Sequence, residues 1–391
     1  MEGKILLISW SLPPELTGSA TVVGNLASQF SEHEMVIACE RRFPYAATVR
    51  NRFKQQVFFI APQRFRSIRG QRTLEKMFLP LDFPLILLRL WRIVRQHECS
   101  SLLVIFPNEK YLLAGYLIAR WTGCALFPYF HNTYVENRRG ISKVFAKWLQ
   151  PRVFRHASHV FVMSEGMEEL FREHYPFLEN CSALVHSFKE DIPVLKPHRQ
   201  VGSPLQLIFQ GNINESCLDA LRRMRSALRS AGNSQLTLVT GIPGCLLERW
   251  GLLGDGVRHL PAITDRAILL QYLGEADIVL LPHGFTGSLS EEEYRTIFPT
   301  KTLEYLICGR PILAHSPSGS FLTRFLKRHD CALVVEEPSE DALCEAFKRL
   351  ELEVELRNRL VRNALKTARM FQASRVAEEM RSIIRRAASK C

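Results

Sequence analysis

Twice in this chain a short apolar run ends in a loop of small, helix-breaking residues and passes at once into a helix-periodic segment. The first run is Lys4-Ile5-Leu6-Leu7-Ile8-Ser9, then Ser11-Leu12-Pro13-Pro14-Glu15-Leu16-Thr17-Gly18-Ser19, then Val22, Val23, Leu26, Ala27 and Phe30 at helical spacing. The second is Leu205–Phe209, followed by Gly211-Asn212-Ile213-Asn214 and by Leu218, Leu221, Met224 and Leu228. A continuous apolar run of this length suits a strand covered on both faces. Strand, glycine-containing loop and helix together open a doubly wound α/β domain.

Other strand candidates continue each series: Met35–Cys39, Val57–Ile60, Leu102–Phe106, Ala125–Tyr129 and His159–Met163 in the first half; Leu236–Thr240, Val257–Leu260, Ile278–Leu281, Pro311–Ala314 and Ala332–Val335 in the second. Helical spacing is predicted for Pro84–His97, Leu112–Thr122, Ser142–His156, Asp341–Leu350 and the stretch from Val354 to the end. Between the halves, Pro193 to Pro204 is polar and rich in breakers, as linkers are. The expected organisation is a Rossmann-like domain over 1–193, a linker over 194–204, a second Rossmann-like domain over 205–370 and a closing helix over 371–391. Two such domains in series imply a cleft between them.

Composition narrows the function classes. Ten cysteines form no CxxC pair, which argues against a zinc finger or a disulfide scaffold and for reduced thiols in the cytoplasm. No stretch is long and apolar enough to span a bilayer, and the first residues lack a signal-peptide pattern. The net charge of +12 is uneven: Arg41 to Arg155 holds 21 basic and five acidic residues, a surplus larger than that of the whole chain. That window is expected to meet something anionic: nucleic acid, lipid or a phosphorylated substrate. Within it, Arg64, Arg66, Arg69, Arg72 and Lys76 precede an apolar stretch and suit a membrane surface or an anionic acceptor. Lys143, Lys147, Arg152 and Arg155 flank Val144, Phe145, Trp148 and Leu149 in a second amphipathic segment. Pro84–His97 reads instead as a buried helix with solvated arginines.

The densest chemical signal is Pro299-Thr300-Lys301-Thr302-Leu303-Glu304-Tyr305, closed by Gly309-Arg310-Pro311. Proline suits a helix start, and glycine followed by proline suits its end. Lys301 and Glu304, three residues apart, share one face. A helix start with a lysine suits a phosphate, and the carboxylate can accept hydrogen bonds from a sugar diol. A capped surface helix carrying a Lys–Glu pair fits the same spacing.

This segment resembles the donor-site motif of GT-B glycosyltransferases, in particular the retaining group called family 4. Pro13-Pro14…Gly18-Ser19, Phe130-His131-Asn132-Thr133, His156 to Met167, Phe209-Gln210-Gly211, Glu275 to His283 and Phe371-Gln372-Ala373 resemble further family segments in order. The resemblance implies two Rossmann-like domains facing across a cleft, with the C-terminal helix crossing back to the first. It implies transfer of a hexose-type sugar from a nucleotide sugar to a glycan or lipid-linked hydroxyl, with retention. His131, Lys301 and Glu304 would be the catalytic group. Gly18, Ser19, Gly211, Asn212, Ile263, His283, Gly284, Phe285, Thr300, Lys301, Thr302 and Glu304 would bind the donor, with Arg310 a more remote cation.

There are two departures. Thr296 stands where the family commonly has a first glutamate, and Asn212-Ile213-Asn214-Glu215 lacks the usual loop Arg and Lys. No Asp-x-Asp occurs, so no metal and no cofactor are expected, and fixed cations would neutralise the leaving diphosphate. The protein is expected in the cytoplasm, peripheral on the membrane's inner face if its basic surface meets lipid. Rival readings are a degenerate scaffold subunit and a sugar-nucleotide epimerase. A phosphorylase would need a pyridoxal lysine and a far longer chain. A nucleic-acid role is discouraged, because the basic window carries no known module.

Overall fold

The computed structural model describes residues 3–15, 17–41, 46–62, 71–184, 187–193, 204–287 and 289–388. The chain forms two compact units, one of residues 1–189 with 373–391 and one of residues 190–372.

The first unit alternates strand and helix: β1 (Lys4–Ser9), α1 (Gly18–Ala27), β2 (Met35–Arg41), α2 (Ala46–Arg52), β3 (Val57–Pro62), α3 (Gln71–Gln96), β4 (Cys99–Phe106), α4 (Glu109–Thr122), β5 (Ala125–Phe130), α5 (Gly140–His156), β6 (Val160–Val162), α6 (Glu165–His174) and β7 (Cys181–Ala183). The sheet order is β3-β2-β1-β4-β5-β6-β7, and every pairing is parallel. The period of two along each strand divides the core. Leu6, Ile8, Leu102 and Val104 pack with residues of α3 to α6 on one face. Ile5, Leu7, Leu103 and Ile105 pack on the other with α1 and with Val376, Ala377 and Met380 of the terminal helix. That burial on both faces explains the continuous apolar runs.

The second unit repeats the plan: β8 (Leu205–Gln210), α7 (Leu218–Ala231), β9 (Ser234–Val239), α8 (Gly244–Arg249), β10 (Val257–Leu260), α9 (Arg266–Glu275), β11 (Ile278–Pro282), α10 (Glu291–Thr296), α11 (Lys301–Ile307), β12 (Ile312–His315), α12 (Phe321–Arg328), β13 (Leu333–Val335), α13 (Glu340–Leu352) and α14 (Val354–Ala368). Its parallel sheet runs β10-β9-β8-β11-β12-β13. In both sheets the chain winds outward from the first strand, then restarts on its other side. The switch points therefore lie at β1/β4 and β8/β11, where open α/β sheets leave a crevice outside the strands' carboxyl ends.

Two expected helices differ in extent. The one expected from Pro84 begins at Gln71. The one expected from Val354 to the end is interrupted: α14 ends at Ala368, Gln372 is extended, and α15 (Ala373–Ala388) follows. The Ala373 amide donates to the Phe188 carbonyl at 2.8 Å, which sets where α15 joins the first unit.

Candidate functional site

At the β1 end of the first unit, the loop to α1 is tied by short-range bonds. Ser9 Oγ donates to the Ser11 carbonyl at 2.7 Å, and Ser11 Oγ donates to Glu15 at 2.6 Å. Thr17 Oγ1 accepts from the Ala20 amide at 3.1 Å and caps α1. Gly24 is required by this loop, because a Cβ there would lie 2.4 Å from Pro13 Cγ. Gly18 is exposed at the first position of α1. Beside it, Ser19 Oγ shares a hydrogen bond with His131 Nδ1 at 2.9 Å across 112 positions of sequence. The imidazole stands edge-on to Tyr129, centroids 4.5 Å apart. Two expected site residues are thus brought together. Glu40, at the end of β2, is buried and takes Lys110 and Tyr111 as partners, the latter at 2.8 Å.

In the second unit the loops after β8 and β11 are bonded to each other. The Gly284 amide donates to the Ser216 carbonyl at 2.7 Å, and Tyr294 OH donates to the Glu215 carbonyl at 2.9 Å. Asp219 accepts from the Phe285 amide at 3.0 Å. A Cβ on Gly284 would lie 2.8 Å from Asp219 Oδ1, so that glycine answers to packing within the unit. His283 is only 1% exposed. Its Nε2–H donates to the Tyr294 carbonyl at 2.7 Å, and burial pushes its pKa down to about 4. Its neutral ring therefore ties the two ends of the β11 loop. Asn212 is exposed, and Ile263, Phe285 and Thr300 are half-buried.

Helix α11 is pinned to the end of β8 by Tyr305, whose hydroxyl accepts from the Gln210 amide at 3.0 Å. Lys301 is half-buried, with Nζ 4.1 Å from the centroid of the Phe209 ring. Gly211, at φ +110°, gives it passage: a Cβ there would stand 3.3 Å from Lys301 Cε. Among the described residues the ammonium has no ion-pair partner. Desolvation pulls its pKa below the usual lysine value, against the pull of Cys217 and Glu304.

One turn on, Glu304 is 8% exposed. Arg266 NH1 donates to its Oε1 at 2.6 Å, while Oε2 is buried without a hydrogen-bond partner among the described residues. Arg266 also pairs with Glu190, donating to its Oε2 at 3.2 Å. Thr302 is fully buried and its hydroxyl is likewise unpartnered. The Thr302 and Leu303 amides donate to the Pro299 and Thr300 carbonyls, which leaves fewer free amides at the helix start than the motif suggested. Thr296 Oγ1 donates to the Glu293 carbonyl at 3.3 Å. Arg310 is engaged elsewhere, its Nε donating to the Gly274 carbonyl at 2.7 Å.

The ion pairs of Arg266 with Glu190 and Glu304, and the bond of Asp219 to the Phe285 amide, are not legible from the sequence. Of the expected basic segment, Arg64, Arg66 and Arg69 lie outside the described residues, and Arg72 and Lys76 are known only as backbone positions in α3. Among the described residues no three His, Cys, Asp or Glu side chains gather as metal ligands do, and no helix is long and apolar enough to cross a membrane.

Residues 16–186 match the family model described as Glycosyltransferase Family 4. No curated protein matches the chain in sequence. Among solved structures, sucrose-phosphate synthase from Thermosynechococcus elongatus is 13% identical with a TM-score of 0.73, and each chain covers 100% of the other. Anabaena HepE in complex with UDP and glucose is 16% identical with a TM-score of 0.70, covering 97% of this chain and 99% of that one. The lipopolysaccharide outer core galactosyltransferase WaaB, in its apo form, is 13% identical with a TM-score of 0.65, covering 99% of this chain and 100% of that one. At these identities the likeness is one of fold: two Rossmann-like units of the GT-B type.

Proposed function

We propose that this protein is a glycosyltransferase that moves a hexose-type sugar from a nucleoside-diphosphate sugar to a hydroxyl of a glycan or lipid-linked acceptor, with retention and without a metal. The observation that carries the reading is Lys301: a half-buried ammonium with no acid paired to it among the described residues, at the end of the strand beside a topological switch point. A desolvated cation without a counter-ion is favourable to an incoming anion, because the penalty of its burial is then offset by the ligand. Glu304 adds an acceptor one turn away, its Oε2 buried and unpaired among the described residues. The match of the first unit to Glycosyltransferase Family 4, and likeness of fold to HepE, seen with UDP and glucose, support the same reading.

In this reaction the bond between the anomeric carbon and the β-phosphate oxygen breaks, and its electron pair leaves with the diphosphate. Lys301 stabilises that charge. The acceptor oxygen bonds to the anomeric carbon on the face just vacated and gives its proton to the departing phosphate oxygen. His131, oriented by Ser19 within the first unit, is assigned to the donor sugar by the family resemblance. Gly211, beside Lys301, lets backbone approach the phosphates. Metal independence rests on the lack of any Asp-x-Asp in the sequence. The test is release of nucleoside diphosphate from a panel of UDP-, GDP- and ADP-sugars, with and without a chelator. Release by the wild type and its loss in Glu304→Gln support the reading; no binding and no release with any donor would favour a scaffold subunit.

A further inference from the structure

The first unit leaves an unusual surface on α5. Ile141, Val144 and Trp148 recur at the spacing of one helix face and are 89%, 69% and 43% exposed. The opposite face is committed to the core through Ala146, Leu149, Val153 and Phe154. Lys147, Arg152 and Arg155 are exposed; Arg152 and Arg155 fall on the apolar side of the helix and Lys147 on its flank. The helix contains no aspartate or glutamate in its 17 residues. Arg152 lies 4.6 Å from the Trp148 ring centroid and donates to that residue's carbonyl at 2.7 Å, so cation and indole form one amphipathic element.

Single exposed apolar residues need no explanation, but an aligned set rimmed by cations is a docking surface. We infer that α5 docks this protein on an anionic lipid bilayer, lying in the interface plane with Ile141, Val144 and Trp148 in the headgroup–acyl boundary and Lys147, Arg152 and Arg155 on lipid phosphates. Charge decides between occupants. A second copy meeting this face about a two-fold axis would set the same cations against each other, in a chain already at +12. Nucleic acid would satisfy the cations but leave the branched aliphatic side chains without an apolar environment. An anionic bilayer satisfies both. This inference stands apart from the transferase reading, since it requires no donor and no turnover.

The test is sedimentation of the full chain with vesicles of phosphatidylcholine alone, or with about one-third phosphatidylglycerol, at roughly 0.1 M salt. Wild type should bind the anionic vesicles only. Lys147→Gln/Arg152→Gln should weaken that binding about 25-fold, from about 1 kcal/mol per cation. Ile141→Ser/Val144→Ser, which keeps every charge, should weaken it about tenfold or more. The inference fails if both double variants bind like wild type, or if neither vesicle is bound. It also fails if light scattering finds a dimer that Ile141→Ser/Val144→Ser dissociates, or if duplex nucleic acid is bound through Lys147 and Arg152 while vesicles are ignored.

Discussion

Arg266 holds one oxygen of Glu304 at 2.6 Å and leaves the other buried with no hydrogen-bond partner among the described residues. The same guanidinium grips Glu190, so one cation fixes two carboxylates from segments far apart in sequence. Its pKa is pushed above the usual arginine value by those two acids in spite of burial. Arg266 thereby orients Glu304 without filling it.

Arg266→Gln should therefore lower stability and loosen donor binding together. Loss of a charge-assisted bond in a partly exposed setting removes about 2 kcal/mol, visible as a lower urea midpoint. If Glu304 is positioned by Arg266, Arg266→Gln should raise the donor KM more than it lowers kcat. Its effect should also be largely absent in a Glu304→Gln background, which a double-mutant cycle on donor affinity measures.

Gly211→Ala should be harmful for two reasons that separate. A φ of +110° strains any L side chain, at about 1–3 kcal/mol, and the new methyl would press on Lys301 Cε at 3.3 Å. Thermal melts should register the first effect and donor titrations the second. A loss of stability with unchanged donor affinity would detach Lys301 from the binding role.

Acid should destabilise the second unit in a window set by two histidines. His283 donates through Nε2, whereas His315 donates from Nδ1 to the Val335 carbonyl at 3.0 Å and accepts from Arg223 at Nε2, 2.8 Å away. Burial pushes both pKa values down to about 4. Both are thus neutral when folded, while the unfolded chain protonates them below its ordinary pKa near 6.5. Stability is full above that value and falls as pH drops from about 6.5 to 4, by roughly 1.4 kcal/mol per pH unit for each histidine. Urea midpoints taken at intervals across that range should follow this slope, and His283→Asn should flatten it.

His131→Ala should lower kcat by about 100-fold, with Ser19→Ala a weaker copy, since the serine acts through the imidazole it touches. Steady-state kinetics on both variants check the order; a larger loss in Ser19→Ala would reverse the roles.

Much of this arrangement could be read from the chain alone. The buried parallel strands announced themselves as unbroken apolar runs, because both sheet faces are covered and no alternation survives. Lys301 and Glu304 were legible because a helix fixes their relation at a spacing of three. What was hidden depends on tertiary contact. Arg266 sits one residue after a helix-capping Asp265 and looks like a solvated cation until Glu190 and Glu304 close on it. The partners of the β11 loop, Tyr294 for the His283 ring and Asp219 beside Gly284, are likewise set by tertiary contact that no local spacing shows. For Pro84–His97, most of which lies in α3, the sequence predicts a buried helix with solvated arginines. It buries Ile86, Leu90, Ile93 and Val94, but leaves Leu85, Leu88 and Trp91 exposed, since apolar residues lie on more than one of its faces.

Lys301 is the proposed seat of the donor diphosphate, and donor titration of Lys301→Met measures that role directly. Methionine can fill the space over Phe209 without a buried charge, so the variant should melt no lower than wild type. Wild type should be stabilised by one nucleotide-sugar class, by about 2.7 kcal/mol at 100 times its dissociation constant, and Lys301→Met should bind that donor about 100-fold more weakly. A folded Lys301→Met protein that binds the same donor with wild-type affinity would contradict the account.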